Sequence, residues 1–201
     1  MEQERSDFQL VDDFKSGQEQ AFIMLLDRYE KKVYRMVFGM VRNTSDAQDL
    51  TQEIFVKVYQ NLKKFRTESS LSNWILKIGS NHVKKFWIKS KVGRLVSLEF
   101  LADEKHWEIE DVSDDANLEL TQEKKETFGI LHKAIENLDM KARQIIVLRE
   151  LNELSYQDIA TILNMSIGTV KSRLSRAKEK LKEQLELSNQ FSKGVTTHAS
   201  Y

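Results

Sequence analysis

Apolar residues recur along this chain every three or four positions, in a succession of amphipathic stretches, and rarely alternate as a strand requires. Ser6 to Gly17 has Phe8, Leu10, Val11 and Phe14 as its apolar side, which predicts a short helix stopped at Gly17. From Glu19 a long helix is predicted, with Phe22, Leu25, Leu26, Tyr29, Val33, Met36, Val37 and Met40 at helical spacing, a core stripe rather than a cofactor box. Asn43-Thr44-Ser45 ends it, and Ser45 to Gln48 has capping-box spacing for a third helix, Asp46 to Leu62. Leu50, Ile54, Val58 and Leu62 form its inward stripe, which Phe55 widens. Phe65 to Ser70 reads as a loop, and a fourth helix starts between Ser70 and Ser72 with Trp74, Ile75, Ile78 and Val83 as apolar positions. Periodicity fades from about Val92 to Thr121, the pattern of an extended linker. It resumes at Glu123 with Phe128, Leu131, Ile135 and Leu138, and Asp139 is placed to cap a helix carrying Ile145, Ile146, Leu148 and Leu151. After Leu187 the pattern stops, and a disordered tail is expected.

The most informative stretch is Ser155 to Leu181, which predicts two helices broken by a tight turn. Ser155 can cap the first, whose Ile159, Ile162 and Leu163 share a face. Asn164 tolerates the left-handed conformation that such a stop needs, and Ser166 can cap the second helix. There Val170, Leu174, Ala177 and Leu181 point inward, while Thr169, Ser172 and Arg176 point outward, flanked by Lys171, Arg173 and Ser175. Small Ala160 lets the two helices pack closely. This is the make-up of a helix-turn-helix whose second helix enters a DNA major groove. An ordinary helical hairpin with a solvated charged face shares some of it. The joint presence of cap, turn, small residue and outward bases favours DNA.

Composition narrows the class. The 201 residues contain no proline and no cysteine, so long helices are uninterrupted, and disulfides and thiolate metal sites are excluded. The opening MEQERSDF and the lack of a membrane-length apolar run suggest a cytoplasmic protein without membrane insertion. Formal net charge is +0, so any case for a polyanionic partner must be local. Ser69 to Leu98 contains no acid but has Lys77, Lys84, Lys85, Lys89, Lys91 and Arg94. Glu99 to Glu119 reverses the sign, with Asp103, Glu104, Glu108, Glu110, Asp111, Asp114 and Asp115 against Lys105. The basic stretch interleaves lysines with Trp74, Phe86 and Trp87, which suits a surface that holds phosphates and unstacked bases; core aromatics beside solvated lysines are the plainer alternative. Asp46, Asp49 and Glu53 fall three or four residues apart as an acidic strip. Such acids also suit a helix start, or a basic partner helix. His82, His106, His132 and His198 are scattered without metal-ligand spacing, and neither a phosphate-cradling glycine loop nor a nucleophile elbow is present. No enzyme, catalytic residue, metal, cofactor or small-molecule substrate is expected.

Three separated motifs resemble one family, the extracytoplasmic-function (ECF) sigma factors of bacterial RNA polymerase. DAQDLTQEIF, Asp46 to Phe55, is similar to the family's DAEDLTQEVF. FRTESSLSNWILKIGSN, Phe65 to Asn81, is similar to FRGESSFSTWLYRIAxN, and LSYQDIATILNMSIGTVKSRLSRA, Leu154 to Ala177, to LSYxEIAxxLxxSxGTVKSRLxRA. The resemblance spans about Gln18 to Leu187 and implies an all-α fold of two small helical domains joined by an acidic linker, the second carrying the helix-turn-helix. It implies a polymerase-binding and minus-ten domain over 1–91, a linker over 92–121, a minus-thirty-five domain over 122–187 and a tail over 188–201.

The resemblance also implies roles. Asp46, Asp49, Gln52 and Glu53 would dock on the clamp of the largest subunit of core RNA polymerase, and the C-terminal domain on the flap of the second-largest. Leu71, Asn73, Trp74 and Asn81 would form or border a pocket for a base flipped from the minus-ten element, with Lys84, Lys85 and Lys89 on its backbone. Lys171, Ser172, Ser175 and Arg176 would read the minus-thirty-five element, with Thr169, Arg173 and Lys178 on phosphates. The linker would occupy the polymerase's active-centre and RNA-exit channels. An anti-sigma factor is a common partner in the family, and a stress or envelope-signal regulon its common output. Gln48, Lys85, Ile88 and Leu138-Asp139 depart from the pattern, which more often has an acid, Asp, Arg and Leu-Pro there. Two rivals stay in view: a dimeric regulator that binds a palindrome, and an adaptor that binds polymerase and touches DNA incidentally.

Overall fold

In a computed structural model, the described main chain covers residues 5–66, 69–97, 129, 131 and 133–195, and every regular element among these is helical. Helix α1 is Asp7–Lys15, α2 Gln20–Val41, α3 Thr44–Leu62 and α4 Leu71–Ser97. After a helical stretch ending at residue 136 come α5 (Met140–Ile146), a π-helical turn over Val147–Leu151, α6 (Tyr156–Leu163) and α7 (Ile167–Val195). The fold is all-α, as the periodicity predicts.

Local chemistry explains most boundaries. Ser6 and Gln9 exchange side-chain and backbone hydrogen bonds in a capping box that starts α1. Gly17, at φ +100°, makes the reversal into α2 with a backbone that a side chain would strain. Arg42 ends α2 in the left-handed region, and extended Asn43 caps α3 by accepting a hydrogen bond from the Asp46 amide at 2.8 Å. The cap is therefore Asn43 and not Ser45, because Arg42 completes the turn one step earlier and leaves Ser45 inside the helix.

The predicted stripes of α2 and α3 are core: Val33, Met36, Val37, Ile54 and Leu62 are essentially without solvent contact. Phe8 is a correction. It is 49% exposed, because it lies roughly 110° around the helix from the centre of the Leu10, Val11 and Phe14 stripe. Two lengths also differ from expectation. Helix α4 continues to Ser97, past the predicted end at 91, and α7 to Val195, past Leu187, since neither stretch contains a proline to stop propagation. The rest of the predicted linker, Phe128, His106, His132 and the end of the tail lie outside the described residues.

The N-terminal helices (α1–α4) and the C-terminal ones (α5–α7) share one continuous hydrophobic cluster. Gly39 on α2 allows this approach. A Cβ there would lie 2.8 Å from Leu151 Cδ1 and 3.0 Å from both γ-carbons of Val147. The π-helical turn bears these two residues, and Asn152 closes it by donating both its backbone amide and its Nδ2 to the Val147 carbonyl.

Candidate nucleic-acid interface

The helix-turn-helix is assembled by the residues that sequence reasoning assigns to it. Ser155 caps α6, accepting from the Asp158 amide at 3.1 Å, and the Asp158 carboxylate accepts in return from the Ser155 amide and hydroxyl. Asn164 stops α6 at φ 52°, in the left-handed region. Ser166 caps α7, its hydroxyl accepting from the Thr169 amide at 3.2 Å and sharing a hydrogen bond with Thr169 Oγ1 at 2.8 Å. Val170, Leu174 and Ala177 seat α7 on the core with Ile159, Ala160 and Ile162. Rigid seating leaves the opposite face free: Lys171, Ser172, Arg173, Ser175, Arg176 and Lys178 are all exposed. Thr169 is half-buried by its cap contact, and Lys178 pairs with Glu150 at 2.9 Å. One helix thus displays hydroxyls and cations to solvent, the donors that base edges and phosphates accept from.

A second cationic face lies on α4. Asn81, Lys84, Lys85, Ile88 and Lys89 are exposed at helical spacing, so they form one strip. Phe86 and Trp87 are partly buried against the core behind it. Leu71 is 1% exposed and belongs to the core, while Trp74 is half-buried with its ring centroid 5.2 Å from that of Phe65. Asn73 is turned toward the C-terminal helices, its Nδ2 donating to Asp158 Oδ1 at 2.5 Å. The structure therefore brings Asn81 and the three lysines together on the surface, and sets Leu71, Asn73 and Trp74 deeper.

The acidic strip is on α3. Asp49, Gln52 and Glu53 are exposed, and Asp46 is half-buried beside them. Burial first, and the nearby Asp49 carboxylate second, hold the Asp46 carboxyl above its ordinary range. That is the electrostatic signature of clustered acids without a compensating cation. Glu53 meets His82 Nε2 at 2.5 Å, which ties the acidic strip of α3 to the basic face of α4. Val56 and Tyr59, 56% and 42% exposed, extend the α3 strip with apolar surface that the sequence reading missed. Their helical spacing from Gln52 carried the signal, but only the packing shows that nothing covers them.

Two carboxylates make the C-terminal helices acid-sensitive. Asp158 is held below the usual carboxylate range chiefly by the Ser155 hydroxyl, and Asp139 chiefly by the Lys180 ammonium 2.6 Å away. A depressed folded pKa means stability that is present above the unfolded value of about 4 and is lost as pH falls through the lower folded value. Acidification below that range is expected to release first the cap amides of Ala142 and Asp158, measurable by amide exchange. Persistent protection of those two amides would contradict the assignment.

No helix among the described residues is long and apolar enough to cross a membrane. Family models described as Sigma-70 region 2 and Sigma-70, region 4 match residues 25–92 and 128–181. The chain is 32% identical over 193 residues to the ECF RNA polymerase sigma-E factor of Escherichia coli K12, covering 92% of this chain and 97% of that protein. It is 30% identical over 185 residues to the RNA polymerase sigma-H factor of Pseudomonas aeruginosa, covering 91% and 95%. Two solved structures share the fold. CnrH, in complex with the cytosolic domain of CnrY, has a TM-score of 0.64 at 20% identity over 89% of this chain and 96% of that one. The sigma factor RpoE of Bartonella quintana, in complex with the anti-sigma factor NepR, has 0.63 at 23% over 83% and 98%. The matched regions contain the α3 and α4 strips and the helix-turn-helix, and the chain belongs to the ECF family of RNA polymerase sigma factors, a transcription initiation factor.

Proposed function

We propose that this chain binds core RNA polymerase through the acidic strip of α3, opens and holds the minus-ten element on the α4 face, and reads the minus-thirty-five element with α7. The observation that carries the proposal is the separation of three exposed surfaces of matching chemistry: acids on α3, lysines on α4, and hydroxyls with cations on α7. Asp46, Asp49, Gln52 and Glu53 meet a basic clamp, with Val56 and Tyr59 as apolar contact at the edge. Lys84, Lys85 and Lys89 hold the strand backbone, and Asn73, Trp74 and Asn81 serve an extruded base. Extrusion costs a few kcal/mol, and stacking returns about 1–3 kcal/mol per base.

Residues 1–91 and 122–187 act as the two readers, and 92–121 as the tether that occupies the polymerase channels until RNA displaces it. Joining two weak readers through one large machine raises their effective concentration enough to select paired elements at fixed spacing. The chain performs no chemistry of its own; its output is promoter choice for a stress or envelope-signal regulon in the cytoplasm. An anti-sigma factor is a fitting regulator, and both structural neighbours were solved with CnrY or NepR bound.

Permanganate reactivity of promoter thymines tests the reading. Holoenzyme assembled with this chain should expose unpaired thymines around minus ten, whereas a palindrome-binding regulator or an adaptor would leave them protected. Within the helix-turn-helix, Arg176→Ala should cost about 1–3 kcal/mol of base discrimination at the minus-thirty-five element. Competition between promoters altered in that element measures it, and an unchanged preference would reassign the reading face.

A further inference from the structure

The contacts that seat the C-terminal helices on the N-terminal ones fall on the proposed minus-ten surface. Asn73 is engaged by Asp158, the same acid that caps α6. Gln144 Nε2 donates to Ser80 Oγ at 2.5 Å. Arg143 reaches across from α5: its Nη1 donates to the Met40 carbonyl at 2.7 Å, and its guanidinium lies 4.7 Å from the centre of the Trp87 ring. Around these polar contacts, Val147 and Leu151 close on Gly39.

The closed arrangement cannot read both elements of a promoter. Minus ten and minus thirty-five lie about 25 base pairs apart, or about 85 Å at 3.4 Å per pair. Asp158 and Arg176 belong to one helix-turn-helix, and the chain between them spans at most about 35 Å. Because Asp158 touches Asn73, the α7 reading face lies far too near the α4 surface for both elements to be engaged together.

We propose that the free chain is a self-docked, inactive form, in which its own C-terminal helices cover the minus-ten reader and must swing away before the promoter is bound. This rests on the promoter-reading function proposed above. The dock is built to release. Arg143 is only 5% exposed, and its Nε, like that of Arg42, is buried without a hydrogen-bond partner. Burial, with Arg42 as a like-charged neighbour, brings the Arg143 guanidinium down to about 10. Separation rehydrates that cation and satisfies both orphaned donors, which offsets part of the cost of wetting the apolar surfaces that part. A polymerase that grips each half at its own site then has only a modest gap to overcome.

The chain has no cysteine, so Ser80→Cys with Gln144→Cys can be joined uniquely by a short bis-methanethiosulfonate that reductant removes. The joined protein, mixed with core polymerase, should lose promoter-directed RNA synthesis at least about tenfold and regain it on reduction. Equal activity before and after reduction would overturn the proposal. Gly39→Val wedges the interface without touching a DNA-contacting residue, and Gly39→Ala is a milder wedge that suits the helix better. Either should raise the radius of gyration in X-ray scattering and strengthen binding of the free chain to a single-stranded minus-ten oligonucleotide. Folded wedge variants that scatter and bind like wild type would equally overturn it. Failure of the reduced double variant to initiate at all would instead indict the promoter-reading function, while the scattering comparison still decides whether the dock exists.

Discussion

Replacing Asp49 and Glu53 together by lysine is expected to abolish association with core polymerase while leaving the helical fold intact. Both side chains are exposed on α3, so the fold loses little. The Glu53–His82 contact is a surface pair with Glu53 61% exposed, and such pairs contribute at most about 1 kcal/mol. The interface loses far more. Truncating one partner of a desolvated charge pair costs about 2–5 kcal/mol, and reversal adds repulsion from the clamp cations. Two reversals therefore exceed about 4 kcal/mol, a factor of roughly a thousand in affinity. Gel filtration with core enzyme reads the loss, and circular dichroism reads the fold. A double variant that still co-elutes would move the docking face elsewhere.

The second large effect is expected on α4. Changing Lys84, Lys85 and Lys89 to glutamine removes three exposed cations from one strip without touching the core. Each phosphate neutralised on a single strand contributes about 0.7 to the salt slope, so the slope should fall by about 2 units. At 0.15 M salt the same relation gives roughly a fifty-fold loss of strand affinity. A salt titration with single-stranded minus-ten DNA measures both quantities, and promoter opening should fail in parallel. Binding that weakens without any change in slope would mean that these lysines do not meet phosphates.

The helix-turn-helix was the most legible part of the chain, because its signals are local. Ser155, Asn164 and Ser166 specify a cap, a left-handed stop and a second cap within a dozen residues, and all three act so in the structure. The acidic and basic strips were legible for a related reason: helical spacing alone places Asp49 beside Glu53 and Lys85 beside Lys89. What escaped was set by partners far away in sequence. Arg143 meets Met40, and Asp158 meets Asn73, across 103 and 85 residues, and no periodicity announces such a meeting. Gly39 looked like one small residue in a long helix, yet it is where the π-helical turn closes in. Val56 was invisible for the opposite reason, since exposure is the absence of a neighbour. The Asn43 cap turned on Arg42 adopting a left-handed backbone, a conformation that its residue type does not favour.

The central claim is that two helical readers on one tether direct a polymerase to a paired promoter. Run-off transcription with purified chain and core polymerase, on a linear template bearing both elements, tests it most directly. RNA of a single defined start, lost when either element is scrambled, is the predicted outcome. RNA yield no greater than that of core polymerase alone, on any template mapped from cells expressing the chain, would contradict the account.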